Sequence, residues 1–352
     1  MKKNELPFDD KPLVCQYLLS AYAMGIIQAN AKKLNKEIMP WICSRYVNCS
    51  FDNNQPPGIN SKFSVQVFDG NATNDNVLVC TRVAIPTEEV IESEGRRFIG
   101  LLVDLICSGY YIVGMFNEKN IPNMSSYQKE DTPHTFLLFG FDHETSHFSV
   151  AGFVEDRRFS KYSVSYNDFL NSIKSLKDNT PSVMLKVVKY NIEKEYVVNY
   201  PRVIQSFSDY LNSENNLRSG CPESEVFGVS AIKALHQYCV ESTEDRRADL
   251  DIRYSRGLSD AKEITAKGVE YLCNYFKIND PKAISLAREA SKRANLIHML
   301  TIKYNISKNR DVLHSIWDCF NQIVEIENAY MKDFLLELKS IKEMPAGTFY
   351  LK

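Results

Sequence analysis

The segment PHTFLLFGFD at residues 133–142, followed by the apolar run FSVAGFV at residues 148–154, decides the predicted fold of the N-terminal half. Both runs are rich in aromatic and β-branched residues, and a short polar segment that ends in His147 separates them. Such a pattern is typical of two antiparallel strands joined by a tight turn. His134 lies at the start of the first strand. We therefore expect an antiparallel sheet with a histidine at one end of a central strand.

Composition excludes several classes of partner. Lys and Arg total 42 against 44 Asp and Glu, so the chain lacks the basic excess of proteins that bind nucleic acid or anionic membranes. No apolar run approaches the roughly 18 residues of a membrane span, and the first residues lack the apolar core of a signal peptide. The sequence therefore predicts a cytoplasmic protein with neither nucleic acid nor a membrane as partner.

The nine cysteines are widely spaced and include no C-x-x-C pair. An odd number of scattered cysteines favours reduced, mostly buried thiols over a disulfide framework or a zinc site. The six histidines include no pair at helical i, i+4 spacing. We therefore expect no bound metal and no bound cofactor.

The periodicity of apolar residues divides the chain into two predicted domains. A helix is predicted from Leu13 to about Asn30, and a second from about Thr87 to Gly109. Strands are predicted around them, which gives an α+β domain over residues 1–198. After Pro201 the spacing is helical throughout, with helices predicted near 201–213, 224–241, 258–276, 281–304 and 310–340. Residues 199–352 are thus predicted to form an all-helical domain.

Cys15 and His134 are the candidate catalytic residues. Cys15 is predicted in the first turn of the first helix, where unpaired backbone N–H groups and the helix dipole stabilise a thiolate. A histidine on a later strand can act as its general base. The alternative for Cys15 is a buried core cysteine, in which case Cys43 is another candidate nucleophile. The alternative for His134 is a structural histidine at the edge of a sheet.

A third polar residue must orient the imidazole, and the hairpin restricts the choice. If the turn is centred between residues 143 and 146, His134 faces Glu155, and a bulge would bring Asp156 to the same face. Asp142 lies eight residues along the strand, roughly 26 Å away at about 3.3 Å per residue, and is excluded. Asn117, at the end of the preceding strand, remains a further alternative.

A longer set of residues resembles a known family. It comprises GYYIV at 109–113, Asn117-Glu118, IPN at 121–123, YQK at 127–129, His134 with LLFGFD at 137–142, and FSVAGF at 148–153. Phe227-Gly228, Asp251-Ile252-Arg253, Leu258 and Lys262 fit the same pattern in the helical part. The pattern is similar to the butirosin-biosynthesis H-type family, which is encoded beside assembly lines for nonribosomal peptides and other natural products. That family is itself similar to the papain-like double-glycine leader peptidases.

The resemblance implies a papain-like domain in which Cys15 and His134 are nucleophile and base. It further implies an acyl thioester on the phosphopantetheine of an acyl or peptidyl carrier protein as donor, and a small amine, diamines included, as acceptor. Two positions depart from the pattern. Asp9 lies where the peptidases have a glutamine that donates to the oxyanion, and Gly152 lies near the place of the expected aspartate.

Three functions follow as expectations. The first is an acyltransferase that forms an amide bond in antibiotic or other natural-product biosynthesis. Its expected substrate-binding residues are Tyr110 and Phe136, from aromatic segments that could keep water out, and Glu118, from the polar loop. The alternatives are a cysteine peptidase or thioester hydrolase with the same catalytic residues, and a non-catalytic scaffold protein. The oligomeric state is open, a homo-oligomer included.

Overall fold

The computed structural model describes residues 2–45, 47–56, 62–65, 77–86, 95–155, 158–176, 182–216, 220–244, 248–341 and 348–349. The strands are β1 (Lys3–Glu5), β2 (Cys49–Asp52), β3 (Phe63–Val65), β4 (Leu78–Pro86), β5 (Tyr110–Asn117), β6 (Pro133–Asp142), β7 (His147–Phe153), β8 (Phe159–Ser165), β9 (Ser182–Tyr190), β10 (Val198–Asn199), β11 (Glu225–Phe227) and β12 (Thr348–Phe349). The helices are α1 (Leu18–Lys33), α2 (Met39–Cys43), α3 (Arg96–Cys107), α4 (Tyr166–Lys174), α5 (Tyr200–Asn212), α6 (Gly228–Glu244), α7 (Ile252–Phe276), α8 (Pro281–Ser307) and α9 (Arg310–Lys339), with a 3₁₀ helix at Glu118–Asn120. The protein is therefore a mixed chain of helices and mostly antiparallel strands, of the α+β class.

The chain forms two compact units, and the division differs from the predicted boundary after residue 198. The first unit comprises Met1–Lys36 and Ala72–Lys194, and the second comprises Glu37–Asn71 and Glu195–Lys352. Residues 37–71 join the second unit because β2 pairs with β11, more than 170 residues later in the sequence, and because Cys49 and Phe51 belong to that unit's core. Turn-rich local sequence carries no information about so distant a partner.

The first unit is built on a seven-stranded antiparallel sheet with the order β4-β9-β5-β6-β7-β8, in which β1 also pairs with β6. The hairpin predicted from residues 133–154 forms its centre, and Leu137 pairs with Ala151. The register shifts between Leu138 and Gly140, which marks a β-bulge. Because of the bulge, Leu138 and Phe141 face the same core although they are three residues apart.

One face of this sheet is covered by α3 and α4. Phe136 is fully buried and contacts Phe116 and Phe169, with ring centroids 5.3 and 5.2 Å apart. The opposite face of the sheet, which includes Phe139, contacts the N-terminal segment. There Phe8 stacks on Phe139, with ring centroids 5.1 Å apart. Gly25 allows that segment to pack on α1, because a Cβ there would lie 2.5 Å from the Asp9 carbonyl oxygen. The N-terminal segment and α1 therefore share this face.

The start of α1 differs from prediction. α1 begins at Leu18 rather than in the turn containing Cys15, with Tyr17 as an extended N-cap. The side chains of residues 12–17 are mostly apolar, so periodicity alone could not separate them from the helix. The second predicted helix is described from Arg96 to Cys107, and its predicted start near Thr87 lies outside the described residues.

The second unit is largely helical, with α5 to α9 close to the five predicted helices. The prediction of an all-helical domain was wrong, since this unit also contains the three-stranded sheet β11-β2-β3 and the parallel pair β10-β12. These strands are two to four residues long, too short for period-two alternation to distinguish them from loops. Within the described part of the chain, no helix has both the length and the apolar character needed to cross a membrane.

A charged cluster lies in the core of the second unit. Lys262 Nζ lies 2.6 Å from Glu327 Oε1 and donates to Tyr210 Oη at 2.5 Å, while Tyr210 Oη donates to Glu327 Oε2. Burial raises the Tyr210 pKa well above its ordinary value. The cluster ties α5, α7 and α9 together, and each charge is compensated where water is excluded.

Candidate active site

His134 is the second residue of β6, opposite Phe116 of β5. Its side chain is 42% exposed, and its Nδ1 is hydrogen-bonded to Oε1 of Glu118, whose side chain is only 8% exposed. An ionised carboxylate only accepts hydrogen bonds, so the proton of a neutral imidazole lies on Nδ1. The Nε2 atom is then an acceptor, which is the state that a general base requires.

Glu118 is held by the turn that ends β5. Its N–H donates to Thr132 O at 3.0 Å, and Ile121 N donates to Glu118 O at 3.0 Å. Asn117 is 1% exposed, and its Oδ1 accepts from Lys119 N at 3.2 Å and from Thr132 N at 3.0 Å. Asn117, an alternative for the orienting residue, therefore closes the base of the 118–132 loop and keeps Glu118 beside β6.

Two tyrosines lie close enough to Glu118 for its charge to affect their pKa values. Tyr22 of α1 is 1% exposed, and its hydroxyl donates to Thr135 O at 2.9 Å. Burial raises the Tyr22 pKa well above its ordinary value, and the nearby Tyr162 and Glu118 add to the shift. Burial, followed by the charge of Glu118, raises the Tyr162 pKa in the same direction. Both hydroxyls therefore stay protonated and can only act as neutral groups.

Both hydroxyls lie beside Gly152. A Cβ at Gly152 would lie 3.4 Å from Tyr162 Oη and 3.5 Å from Tyr22 Oη. This is the position near which the resemblance places an aspartate. Tyrosine hydroxyls lie beside that position here, and the carboxylate that contacts the imidazole comes instead from Glu118, directly after β5 on the other side of β6.

The structure therefore corrects the expected partner of His134. Glu155 is exposed, and its N–H donates to Asn123 O at 3.0 Å, in a turn rather than at the imidazole. Asp156 lies outside the described residues. Asp142 lies at the opposite end of β6, 3.3 Å from Lys3 Nζ. Hairpin counting was applied only to the turn after β6, whereas Glu118 reaches His134 from the loop before that strand.

Two expected substrate-binding residues lie elsewhere. Phe136 is fully buried and supports the strand of His134 from the α3 and α4 side, where no substrate can reach it. Tyr110 lies under Lys189 Nζ, 4.8 Å from its ring centroid. It is six residues along β5 from Phe116, or roughly 20 Å at the usual strand rise. Glu118, the third expected substrate-binding residue, lies at the candidate site, where it contacts His134.

Cys15 is half-buried in the irregular segment three residues before α1. Leu19, in the first turn of α1, lines the same groove as Thr135, the residue after His134. Four residues of chain span at most about 14 Å, so Cys15 lies within that distance of Leu19 at this end of the sheet. Cys43 is 3% exposed in the second unit, and burial raises its pKa. A buried thiol that resists ionisation is a poor nucleophile.

Asp9 does not act as an oxyanion donor. Its Oδ1 accepts from Lys11 N at 2.9 Å, and its Oδ2 accepts from Gln28 Nε2 at 3.4 Å. Gln28 Oε1 in turn accepts from Leu13 N at 2.7 Å. Asp9 and Gln28 thus hold the segment that leads to Cys15. Among the described residues, no group of His, Cys, Asp and Glu is arranged to hold a metal ion.

Comparison with models of protein families found no match, and a search of curated proteins found no significant relative. The resemblance in the sequence therefore rests on the quoted residues alone.

We expect Glu118→Gln to lower the turnover of the His134 site. Glutamine keeps the shape but cannot stabilise an imidazolium, and it can turn its NH₂ group toward Nδ1, which favours the wrong tautomer. Since His134 is half-exposed and solvent screens the lost charge, we expect a loss of roughly 10- to 100-fold rather than the larger loss of an enclosed triad. The measurement is the pH profile of kcat/KM, whose basic limb should shift. Glu155→Gln is the matched control, and equal effects of the two substitutions would contradict the assignment.

Proposed function

We propose that this protein is a cysteine-dependent acyltransferase that forms an amide bond. Cys15 is the nucleophile, His134 is the general base, and Glu118 is the residue that positions the imidazole. The observation that carries the proposal is the hydrogen bond between His134 Nδ1 and the buried Glu118 carboxylate, at the sheet end that α1 approaches. Nucleophilic acyl transfer uses such an oriented imidazole beside a thiol. The papain-like classification of the first unit belongs to the same proposal.

The first half-reaction loads the enzyme. The Cys15 thiolate attacks the carbonyl carbon of an acyl thioester carried on the phosphopantetheine of an acyl or peptidyl carrier protein. A new C–S bond to Cys15 forms, the C–S bond to phosphopantetheine breaks, and the imidazolium of His134 protonates the departing thiolate. One thioester replaces another, so the step needs no ATP.

Backbone groups near Cys15 support this step. Within the described residues, the first turn of α1 contains no acidic side chain, and the side chain of its N-cap Tyr17 makes no capping hydrogen bond. The first N–H groups of a helix have no intrahelical partner and lie at the positive end of its dipole. They can therefore stabilise a thiolate and the oxyanion of the tetrahedral intermediate, which Asp9 cannot do.

The second half-reaction releases the product. A small amine attacks the acyl group on Cys15, Nε2 of His134 takes the amine proton, and the Cys15 sulfur leaves as thiolate. Water, at about 55 M, competes with an amine at millimolar concentration. Aminolysis dominates only if the site orients the amine, for which effective molarities of roughly 10⁵ M are available, and if it keeps water out.

The test is mass spectrometry of the products formed from an acyl pantetheine thioester, with and without a panel of amines that includes diamines. We expect amides that depend on both Cys15 and the amine, together with an acyl adduct on Cys15 when the amine is omitted. Free acid alone across the whole panel would instead identify a thioester hydrolase or peptidase. The absence of any Cys15-dependent product would identify a non-catalytic scaffold protein.

A further inference from the structure

An open groove crosses the sheet of the first unit beside the first turn of α1. Its volume is about 270 Å³, and its floor includes Met115 of β5 and Met184 of β9. These two side chains and that of Leu19 at its edge are 49%, 55% and 51% exposed. Three large apolar side chains left in water at one place favour a ligand that covers them. Methionine adapts to irregular apolar shapes, which suits a flexible chain.

Two cations line the same groove. Arg82 of β4 and Lys186 of β9 are directly opposite each other in the antiparallel register. Like charges in this position destabilise a sheet. Within the described ranges, neither side chain has an ion pair or a hydrogen bond to another residue. An anion bound between them would remove the repulsion and accept charge-assisted hydrogen bonds from both.

The groove extends from these cations to β6, the strand that carries His134, and to the first turn of α1. Its other lining residues include Thr135, which follows His134, and Leu19, which is four residues after Cys15. The strands that it crosses are adjacent, in the order β4-β9-β5-β6. At about 4.8 Å per strand, the span across the sheet from Arg82 to β6 is roughly 14 Å. An extended phosphopantetheine arm can bridge such a span between its phosphate and its sulfur.

We propose that this groove binds the phosphopantetheine arm of the carrier protein, which rests on the proposed function and names how its donor substrate is recognised. The phosphate lies between Arg82 and Lys186. The dimethyl and methylene groups of the arm cover Met115 and Met184. The thioester reaches the end of the groove at Thr135 and Leu19, on the side of β6 that α1 covers. The two cations thereby select a phosphorylated arm over free pantetheine.

The test is equilibrium binding, which requires no turnover. S-methyl phosphopantetheine and S-methyl pantetheine are titrated calorimetrically into the full-length Cys15→Ala protein. We expect the phosphorylated probe to bind roughly 10- to 100-fold more tightly, the effect of one or two hydrogen bonds to charged groups. Raising the ionic strength should shrink the ratio, because the cations are partly exposed to solvent.

Variants of the cations provide the decisive comparison. The double variant Arg82→Gln/Lys186→Gln should bind both probes equally. Lys189→Gln is the matched control, because Lys189 is on the same strand but three positions away and hence on the opposite face. It should keep the full preference. The double variant should also raise KM for an acyl phosphopantetheine thioester and leave KM for an acyl pantetheine thioester unchanged.

Two results would overturn the inference. One is equal affinity of the unsubstituted groove for the two probes. The other is inorganic phosphate binding as tightly as the whole arm, since the apolar floor would then contribute nothing. The proposed function is tested separately. Phosphate-dependent binding without amide formation would contradict only the proposed reaction. Amide formation that does not depend on the phosphate would contradict only the proposed role of the groove.

Discussion

Replacing Cys15 with alanine is expected to abolish amide formation, with a loss of at least about 10⁴-fold in kcat/KM, because the acyl-enzyme cannot form without its sulfur. Cys15 is half-buried, so the lost packing is small compared with that of a core residue, and the fold should remain. The measurement combines steady-state turnover of an acyl thioester with thermal unfolding of both proteins. The midpoint of unfolding should change little while turnover disappears.

Cys107→Ala is the control for this substitution, because Cys107 is exposed at the end of α3 in the same unit. It should keep full activity. The acyl adduct seen by mass spectrometry should be absent from the Cys15 variant alone. Retained turnover in that variant would contradict the assignment, and loss of activity on replacing Cys43 would identify a different nucleophile.

Replacing His134 with alanine is expected to lower kcat/KM by about 10³- to 10⁴-fold, at the upper end of the range for a general acid–base group. The loss combines two effects: the incoming amine keeps its proton, and the departing thiolate receives none. We also expect the reactive thiolate of Cys15 to become less populated near neutral pH, since the imidazolium proposed to stabilise it is removed. The rate of Cys15 alkylation by iodoacetamide against pH measures this second effect without substrate.

His147→Ala is the matched control. His147 is at the opposite end of the same hairpin, and its Nδ1 donates to Thr145 O at 2.5 Å. This substitution should leave both turnover and the alkylation profile unchanged. An unchanged alkylation profile in the His134 variant would show that the imidazole does not affect the ionisation of the thiol. It would remove the basis for a Cys15–His134 pair.

The orienting carboxylate illustrates how a site can keep a role and change the residue that performs it. The resemblance places an aspartate on the strand after the histidine, near Gly152. In this protein the hydroxyls of Tyr22 and Tyr162 lie beside that position, and Glu118, directly after β5, contacts the imidazole. Both neighbours of a central antiparallel strand are equally close to it, so either side can supply the third residue.

Much of the fold could be predicted from local pattern. The hairpin of residues 133–154, the α+β class and the five long helices of the second unit all follow from apolar spacing, because the two periods of side-chain burial are imposed by backbone geometry. The bulge between Leu138 and Gly140 could be allowed for but not located. It inserts one residue without any change in the apolar pattern.

The sequence by itself determined the antiparallel hairpin that carries His134, the helical character of the second unit and the choice of Cys15 and His134 as candidates. Only the tertiary structure decided that residues 37–71 belong to the second unit, that Glu118 contacts the imidazole, and that Arg82 and Lys186 meet at an apolar groove. The physical reason is the range of the forces that encode each feature. Periodic burial depends on residues that are close together in the sequence. Strand order and register depend on the packing of the whole sheet, which brings together residues more than 100 positions apart.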